Sequence, residues 1–244
     1  MGPSASPLFA HPTLMMLTQA QIDDEILFWL GQQEREHMFF LVLGLQDPAL
    51  QTEATRLLRA YEETAQRRDI RGLLALAPSS QALKKAVLQA AQERWVGWLY
   101  PSFVEHMMEE IDYALARTRR DLLPRDITCF WAKERSEAAS TAAKWLDSTE
   151  TQLTTQALRH PPILRGIFAA CRKPSTWAVP LNALQAMTSL ERTNASLNRL
   201  LESTGLAKSK NIIHPLWMQH ELREGQRAQA TMQGIYPQLC KGNS

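Results

Sequence analysis

One pattern that occurs twice constrains this chain more than its composition does. Residues 102–114 read "SFVEHMMEEIDYA" and residues 215–230 read "PLWMQHELREGQRAQA". Pro101, Phe103, His106, Glu110 and Ala114 stand at the spacing of Pro215, Trp217, His220, Glu224 and Ala228, each pair shifted by 114 residues. On an α-helix, residues three and four apart share a face, so each set forms one stripe, led by a proline that suits the first helical turn. Glu105, Glu109 and Asp112 fall on the other side, and in the second copy Gln219 and Arg223 stand for Glu105 and Glu109. What the duplication keeps is a histidine and a glutamate on the inward stripe, where apolar side chains are the rule.

The rest of the chain is also helical in pattern: long segments rich in Ala, Leu, Gln, Glu and Arg carry a period near 3.6, and strand-like alternation is nearly absent. The predicted fold class is all-α, a tandem duplication of two four-helix bundles, ferritin-like in taking His and Glu ligands from bundle helices. A first helix over about 19–45 follows Thr18, a good N-cap, and Asp47-Pro48 opens a second over about 48–67. The "APSS" segment marks a boundary before a helix over about 79–99, and Pro101 opens the helix of His106. The second half repeats the order: a helix over about 126–146, a break at "LDST", a short helix to about 158, and another after Pro161-Pro162. A long helix over about 181–204 then ends at Gly205, and Pro215 opens the helix of His220. Phe28-Trp29 and Phe130-Trp131 mark the two leading helices. The predicted organisation is an N-terminal arm (1–18), repeat one (19–123), repeat two (124–236) and a tail (237–244).

Charge excludes some partners. The 27 Lys and Arg nearly balance the 25 Asp and Glu, a net charge of +2, so no strong field draws the chain to nucleic acid or an anionic membrane. No stretch approaches the roughly 20 apolar residues of a membrane span, and the N-terminus lacks the pattern of a secretory signal. Cys129, Cys171 and Cys240 lie far apart with no CxxC spacing, which argues against a zinc knuckle or disulfide framework and for a reducing cytoplasm.

An imidazole and a carboxylate buried together need compensation, either as a hydrogen-bonded ion pair or as metal ligands. Partners are at hand in "GQQEREHMFF", where His37 continues the stripe Ile26, Leu30, Gln33, Phe40/Leu41 and Gly44, with Glu36 on its flank. Glu34 and His37 form ExxH, a spacing used by carboxylate-bridged metal sites in bundles. In "FWAKERSEAA", Glu134 and Glu137 share a face, but Ala138 stands where a second Glu-His pair would put its histidine. His11, His160 and His214 lie beside loops or prolines and suggest no site.

The segments "EREHMFFLVLGLQDP", "PSFVEHMMEEIDYAL", "FWAKERSEAASTAAKWLDSTE" and "HPLWMQHELREGQRA" resemble the Bacillus cereus metalloprotein-like family, a domain of unknown function, over about residues 20 to 235. The resemblance implies metal-ligand roles for Glu36, His37, His106 and Glu110 in the first half and for Glu137, His220 and Glu224 in the second. It also implies tandem four-helix bundles with metal bound near their junction. Ala138 departs from the family pattern, which makes an asymmetric site with an open coordination position the expectation.

Imidazole and carboxylate ligands without thiolate suit iron or manganese, as one or two ions. The function expected is therefore a non-haem iron or manganese oxidoreductase that activates dioxygen beside a small-molecule substrate, in the cytoplasm and without nucleic acid or membrane partners. Two readings compete with it: a metal-binding or storage protein without turnover, and a structural module whose His–Glu pairs are buried ion pairs.

Overall fold

The computed structural model describes residues 17–119, 122–159, 161–171, 188, 189, 191, 192, 194, 195, 199 and 214–237. Residues 1–16 of the predicted arm, nearly all of the tail and most of the helix expected over 181–204 lie outside these. The fold is all-α, with isolated bridge contacts such as that between Leu45 and Gly97 in place of any sheet among the described residues. The chain divides into two compact units, Leu17–Asp121 and a second holding the described residues from Leu122 onward.

The first unit opens on α1 (Gln19–Ile26), capped by a reciprocal pair between Thr18 and Gln21. α1 runs through a π-helical stretch, Leu27–Gln33, into α2 (Glu34–Gly44). α3 (Pro48–Gln66), α4 (Ile70–Glu93) and α5 (Pro101–Arg119) follow. Asp47 caps α3 by accepting the amides of Ala49 and Leu50 at 3.0 and 3.1 Å, and Pro48 takes the first helical position, where its missing amide costs nothing. Each helix packs on the next and α5 returns to α1, closing a four-helix ring. Its core includes Trp29, Leu30, Met38, Leu41, Leu57, Tyr61, Leu73, Val87, Val104 and Ile111.

The π-helical stretch has a sequence cause. Trp29 precedes His37 by eight residues, whereas Trp131 precedes Ala138 by seven. On a regular helix, positions eight apart point about 80° apart, so the extra residue would swing His37 away from the face of Trp29. The wider turn, in which the Glu34 amide reaches back five residues to the Trp29 carbonyl, absorbs it. Trp29 and His37 are both buried as a result.

The boundary expected at "APSS" is corrected. α4 begins nine residues earlier than expected, at Ile70, and continues through Pro78. Two local features explain this: Asp69 accepts the Gly72 amide at 2.9 Å and caps the helix, and Pro78 lies on the exposed face, where water can satisfy the carbonyl it frees. Past α4, Gly97 adopts a φ of +152° against the end of α2, where a Cβ would overlap the Gly44 carbonyl oxygen. Trp98 donates its amide to that oxygen at 2.9 Å and Gln46 donates to Val96 O at 2.8 Å.

In the second unit, α6 (Pro124–Trp145) packs against α7 (Thr151–Leu158), α8 (Pro161–Cys171) and α9 (Pro215–Ile235). His214, which suggested no site from sequence, is the N-cap of α9, its Nδ1 accepting the Leu216 amide at 3.1 Å. Tyr236 and Thr128 share a hydrogen bond of 3.1 Å in the core.

The cysteine reading is also corrected. Cys129 on α6 and Cys171 at the end of α8 form a disulfide, with Cα atoms 5.8 Å apart. Their separation of 42 residues hid the pairing, because two long helices folded side by side bring it about. The support that cysteine spacing gave to a reducing compartment falls with it. No helix among the described residues is long and apolar enough to cross a membrane.

A cross-link closing a loop of that length restricts the unfolded chain by about 4 kcal/mol in the chain-entropy model. Cys171→Ser is expected to lower the stability of the second unit by up to about that amount, read as a drop in urea midpoint. Addition of reductant should lower the wild type equally and leave the variant unmoved.

Candidate metal centre

Polar side chains rarely enter a helical core, yet the first unit buries several around Glu110. On α5, His106 and Glu110 are 5% and 2% exposed, while Glu105, Glu109 and Asp112 face solvent, so the stripe has the phase its spacing predicts. Glu110 Oε1 lies 3.1 Å from Nε2 of His106, one turn before it. Its Oε2 lies 3.3 Å from Nε2 of His37 on α2. The Phe103 ring stacks on the His106 imidazole at 6.2 Å and an interplanar angle of 22°.

The other nitrogen of His37, Nδ1, lies 3.0 Å from Glu34 Oε2. Glu34 in turn accepts the Lys84 ammonium at 2.7 Å on the same oxygen and the Ser80 hydroxyl on Oε1. Lys84, fully buried, also donates to the Met107 carbonyl at 2.9 Å. Burial pushes the Lys84 pKa down, and the Glu34 carboxylate opposes that shift. Burial raises the Tyr61 phenol above its usual range, the Glu34 charge adds to this, and Ser80 opposes it.

These separations fit a metal. Ligand atoms about 2.1 Å from one first-row ion, at angles between 90° and 109°, stand roughly 3.0–3.4 Å apart. Both imidazole-to-Glu110 distances lie in that range. With neutral imidazole nitrogens, a carboxylate and no thiolate, the donor set also suits such an ion.

In the second unit, α9 repeats the α5 arrangement. His220 Nε2 lies 3.1 Å from Glu224 Oε1, both residues buried, with Trp217 and Ala228 buried on the same stripe. Here a guanidinium approaches the carboxylates. Arg135 on α6, fully buried, lies 2.8 Å from Glu221 Oε2 and 3.4 Å from Glu224 Oε2.

The structure brings together His37, His106 and Glu110 in one unit, and His220 with Glu224 in the other. Buried groupings that include these five residues, and Glu134 besides, could hold a metal ion. Glu36 is buried with its carboxylate 3.8 Å from the Arg35 guanidinium, and the carboxylate on His37 Nδ1 is Glu34. Glu137 is partly exposed, 3.6 Å from Lys133, while Glu134 beside it in the helix is buried.

Sequence reasoning missed Ser80, Lys84, Arg135 and Glu221. Lys84 could have been found, since Leu73, Ala77, Ser80, Lys84 and Val87 keep helical spacing and are all buried. So could Arg135, four residues after Trp131 and three before Ala138.

No family model matches the chain. An uncharacterised protein of Acanthamoeba polyphaga mimivirus is 25% identical over 249 residues, covering 83% of this chain and 77% of that protein. The crystal structure of an uncharacterised protein from Bacillus cereus G9241 superposes with a TM-score of 0.81, covering 89% of this chain and 91% of that one. At 14% identity that likeness shows the shared fold alone.

The Lys84–Glu34 pair offers a direct test of how the buried charges are compensated. Lys84→Met leaves Glu34 charged in the core and is expected to cost about 3–5 kcal/mol of unfolding free energy. The double change Glu34→Gln/Lys84→Met should recover most of that loss in a double-mutant cycle. Additive losses would show that the two charges do not depend on each other.

Proposed function

We propose that the chain is a non-haem metalloprotein of the Bacillus cereus metalloprotein-like kind, binding iron or manganese through His and Glu side chains drawn from both helical repeats. The observation that carries this reading is Glu110, buried with an imidazole nitrogen on each oxygen at 3.1 and 3.3 Å. An imidazole lone pair and a carboxylate oxygen so close repel each other unless a proton or a cation stands between them. In this reading His37, His106 and Glu110 are the ligands of the first repeat, and His220 and Glu224 those of the second. The resemblance adds Glu36 and Glu137 as further ligands.

The repeats differ in how their carboxylates are balanced. Glu110 has an imidazole on each oxygen, whereas Glu224 has the His220 imidazole on one oxygen and the Arg135 guanidinium 3.4 Å from the other. Ala138 supplies no donor where the first repeat has His37, and that gap is the open position to which dioxygen or a small substrate would bind. A bound iron or manganese ion would supply one-electron redox chemistry there. The chain's own residues hold the ligands in a buried setting, with Phe103 stacked beside the His106 imidazole. This makes an oxidoreductase the reading argued for.

A second reading, a buried ion-pair module without metal, is favoured by Lys84 and Arg135, which show that this fold also balances core carboxylates with fixed cations. Chelation separates the two. A ligand that binds only the folded state stabilises it by about 2.7 kcal/mol at a hundredfold excess over its dissociation constant. Removing metal should therefore lower the melting temperature of wild type and leave His106→Ala almost unchanged, with bound metal measured by elemental analysis. Equal melting of wild type before and after verified metal removal would favour the ion-pair module.

Turnover is tested by oxygen uptake of iron-loaded wild type and Ala138→His with a reductant present. Uptake above free iron is expected in wild type, and its suppression in Ala138→His together with tighter metal binding. No uptake in wild type would leave a binding or storage protein.

A further inference from the structure

We infer that Glu34 is a positioning residue rather than a ligand: it fixes the His37 tautomer so that Nε2, and not Nδ1, meets the metal. The inference rests on the metal reading above but draws on contacts of its own. His37 has a carboxylate at each nitrogen, Glu34 Oε2 at 3.0 Å from Nδ1 and Glu110 Oε2 at 3.3 Å from Nε2. A neutral imidazole carries one proton, so only one of those contacts can be a donated hydrogen bond.

The surroundings decide which. Glu34 is held on both oxygens, by the Ser80 hydroxyl and by the Lys84 ammonium, and Lys84 is itself fixed by the Met107 carbonyl. Those anchors come from α4 and α5, so three helices determine where the carboxylate sits. A carboxylate immobilised this way accepts the Nδ1 proton and leaves Nε2 to share a cation with Glu110. Ligating histidines are oriented in this manner, by a carboxylate on the ring nitrogen away from the metal. Lys84 serves a second purpose, keeping Glu34 charged in the core without drawing it towards the ion.

The assignment also explains the spacing. Glu34 lies three residues before His37, which brings its carboxylate beside the ring on the same helical face. Glu36, adjacent to His37 in sequence, has its carboxylate 3.8 Å from the Arg35 guanidinium.

The test compares two variant proteins that differ only in whether residue 34 presents an acceptor. Glu34→Leu/Lys84→Met removes the acceptor together with the charge that balances it, and Glu34→Gln/Lys84→Met keeps an acceptor oxygen without charge. Cobalt(II) is the probe, titrated by its visible absorption, with folding checked by circular dichroism. The leucine variant is expected to bind cobalt about 10–100-fold more weakly than wild type, the usual effect of losing such a partner. The glutamine variant should stay within about threefold of wild type. Equal weakening in both would assign the effect to lost charge and overturn the inference, as would wild-type affinity in the leucine variant.

Nitrogen-15 spectra of the histidines in metal-free wild type give a second readout that requires no variant to fold. His37 should carry a proton on Nδ1, with or without a second proton on Nε2 that takes the place of the cation against Glu110. A proton on Nε2 alone would overturn the inference whatever the cobalt titrations show. Should wild type bind no cobalt, the metal reading fails on that result, and the tautomer still decides whether Glu34 orients His37.

Discussion

A carboxylate taken out of water into a helical core is tolerated only where positive charge or donors meet it, and the position of Glu110 makes that requirement acute. Two imidazoles from separate helices stand on its two oxygens, one from its own helix and one from α2. That pair of contacts sets the phase of both helices. His106 must stand one turn before Glu110, and His37 must reach the same point from a helix whose sequence carries one residue more between Trp29 and His37 than its counterpart does. The π-helical stretch follows from the two demands together, since without it Trp29 and His37 could not share the buried face.

Charge in the first unit is then arranged in two tiers. Glu110 is met by imidazoles, groups able to exchange a proton for a metal. Glu34 is met by Lys84, whose ammonium donates to it at 2.7 Å and, while protonated, has no lone pair to offer a metal. The outer pair thus orients, and the inner group is an exchangeable one that can bind. The second unit puts the fixed cation on the other partner: Arg135 on the leading helix answers Glu221 and Glu224 on the last helix. In the first unit the carboxylate is on the leading helix and the cation on α4. Glu34 and Glu110 are set against Lys84, and Glu221 and Glu224 against Arg135, but from different helices, which is why the halves match in their His–Glu stripe and diverge around it.

How much could be read from sequence follows from which contacts are local. The stripe Phe103, His106, Glu110 and Ala114 was legible because its residues belong to one helix and share a face by spacing alone. The same holds for the caps Thr18 and Asp47 and for the prolines that open α3, α5, α8 and α9. Lys84 was hidden beside Lys85 in a stretch that reads as an exposed helix surface, although its register with Leu73 and Ala77 marks it as inward. Pro78 misled because a proline is a stop signal only where the freed carbonyl has no water. The Cys129–Cys171 bridge was beyond reach for another reason: it depends on how α6 and α8 lie against each other, which neither helix encodes by itself.

The contrast between Glu34 and Glu36 shows what residue type alone leaves open. Both are buried, both lie within three residues of His37, and a family pattern of Glu followed by His points to the second. The side chain that reaches His37 Nδ1 is the first, because residues three apart on a helix stand over one another while adjacent ones diverge by about 100°. A dipeptide therefore marks the neighbourhood of a site, and helical geometry selects which carboxylate serves it. Once Glu34 is selected, its binding to Lys84 and Ser80 leaves it poorly placed to act as a ligand, and His37 is left to present Nε2 to whatever cation Glu110 shares.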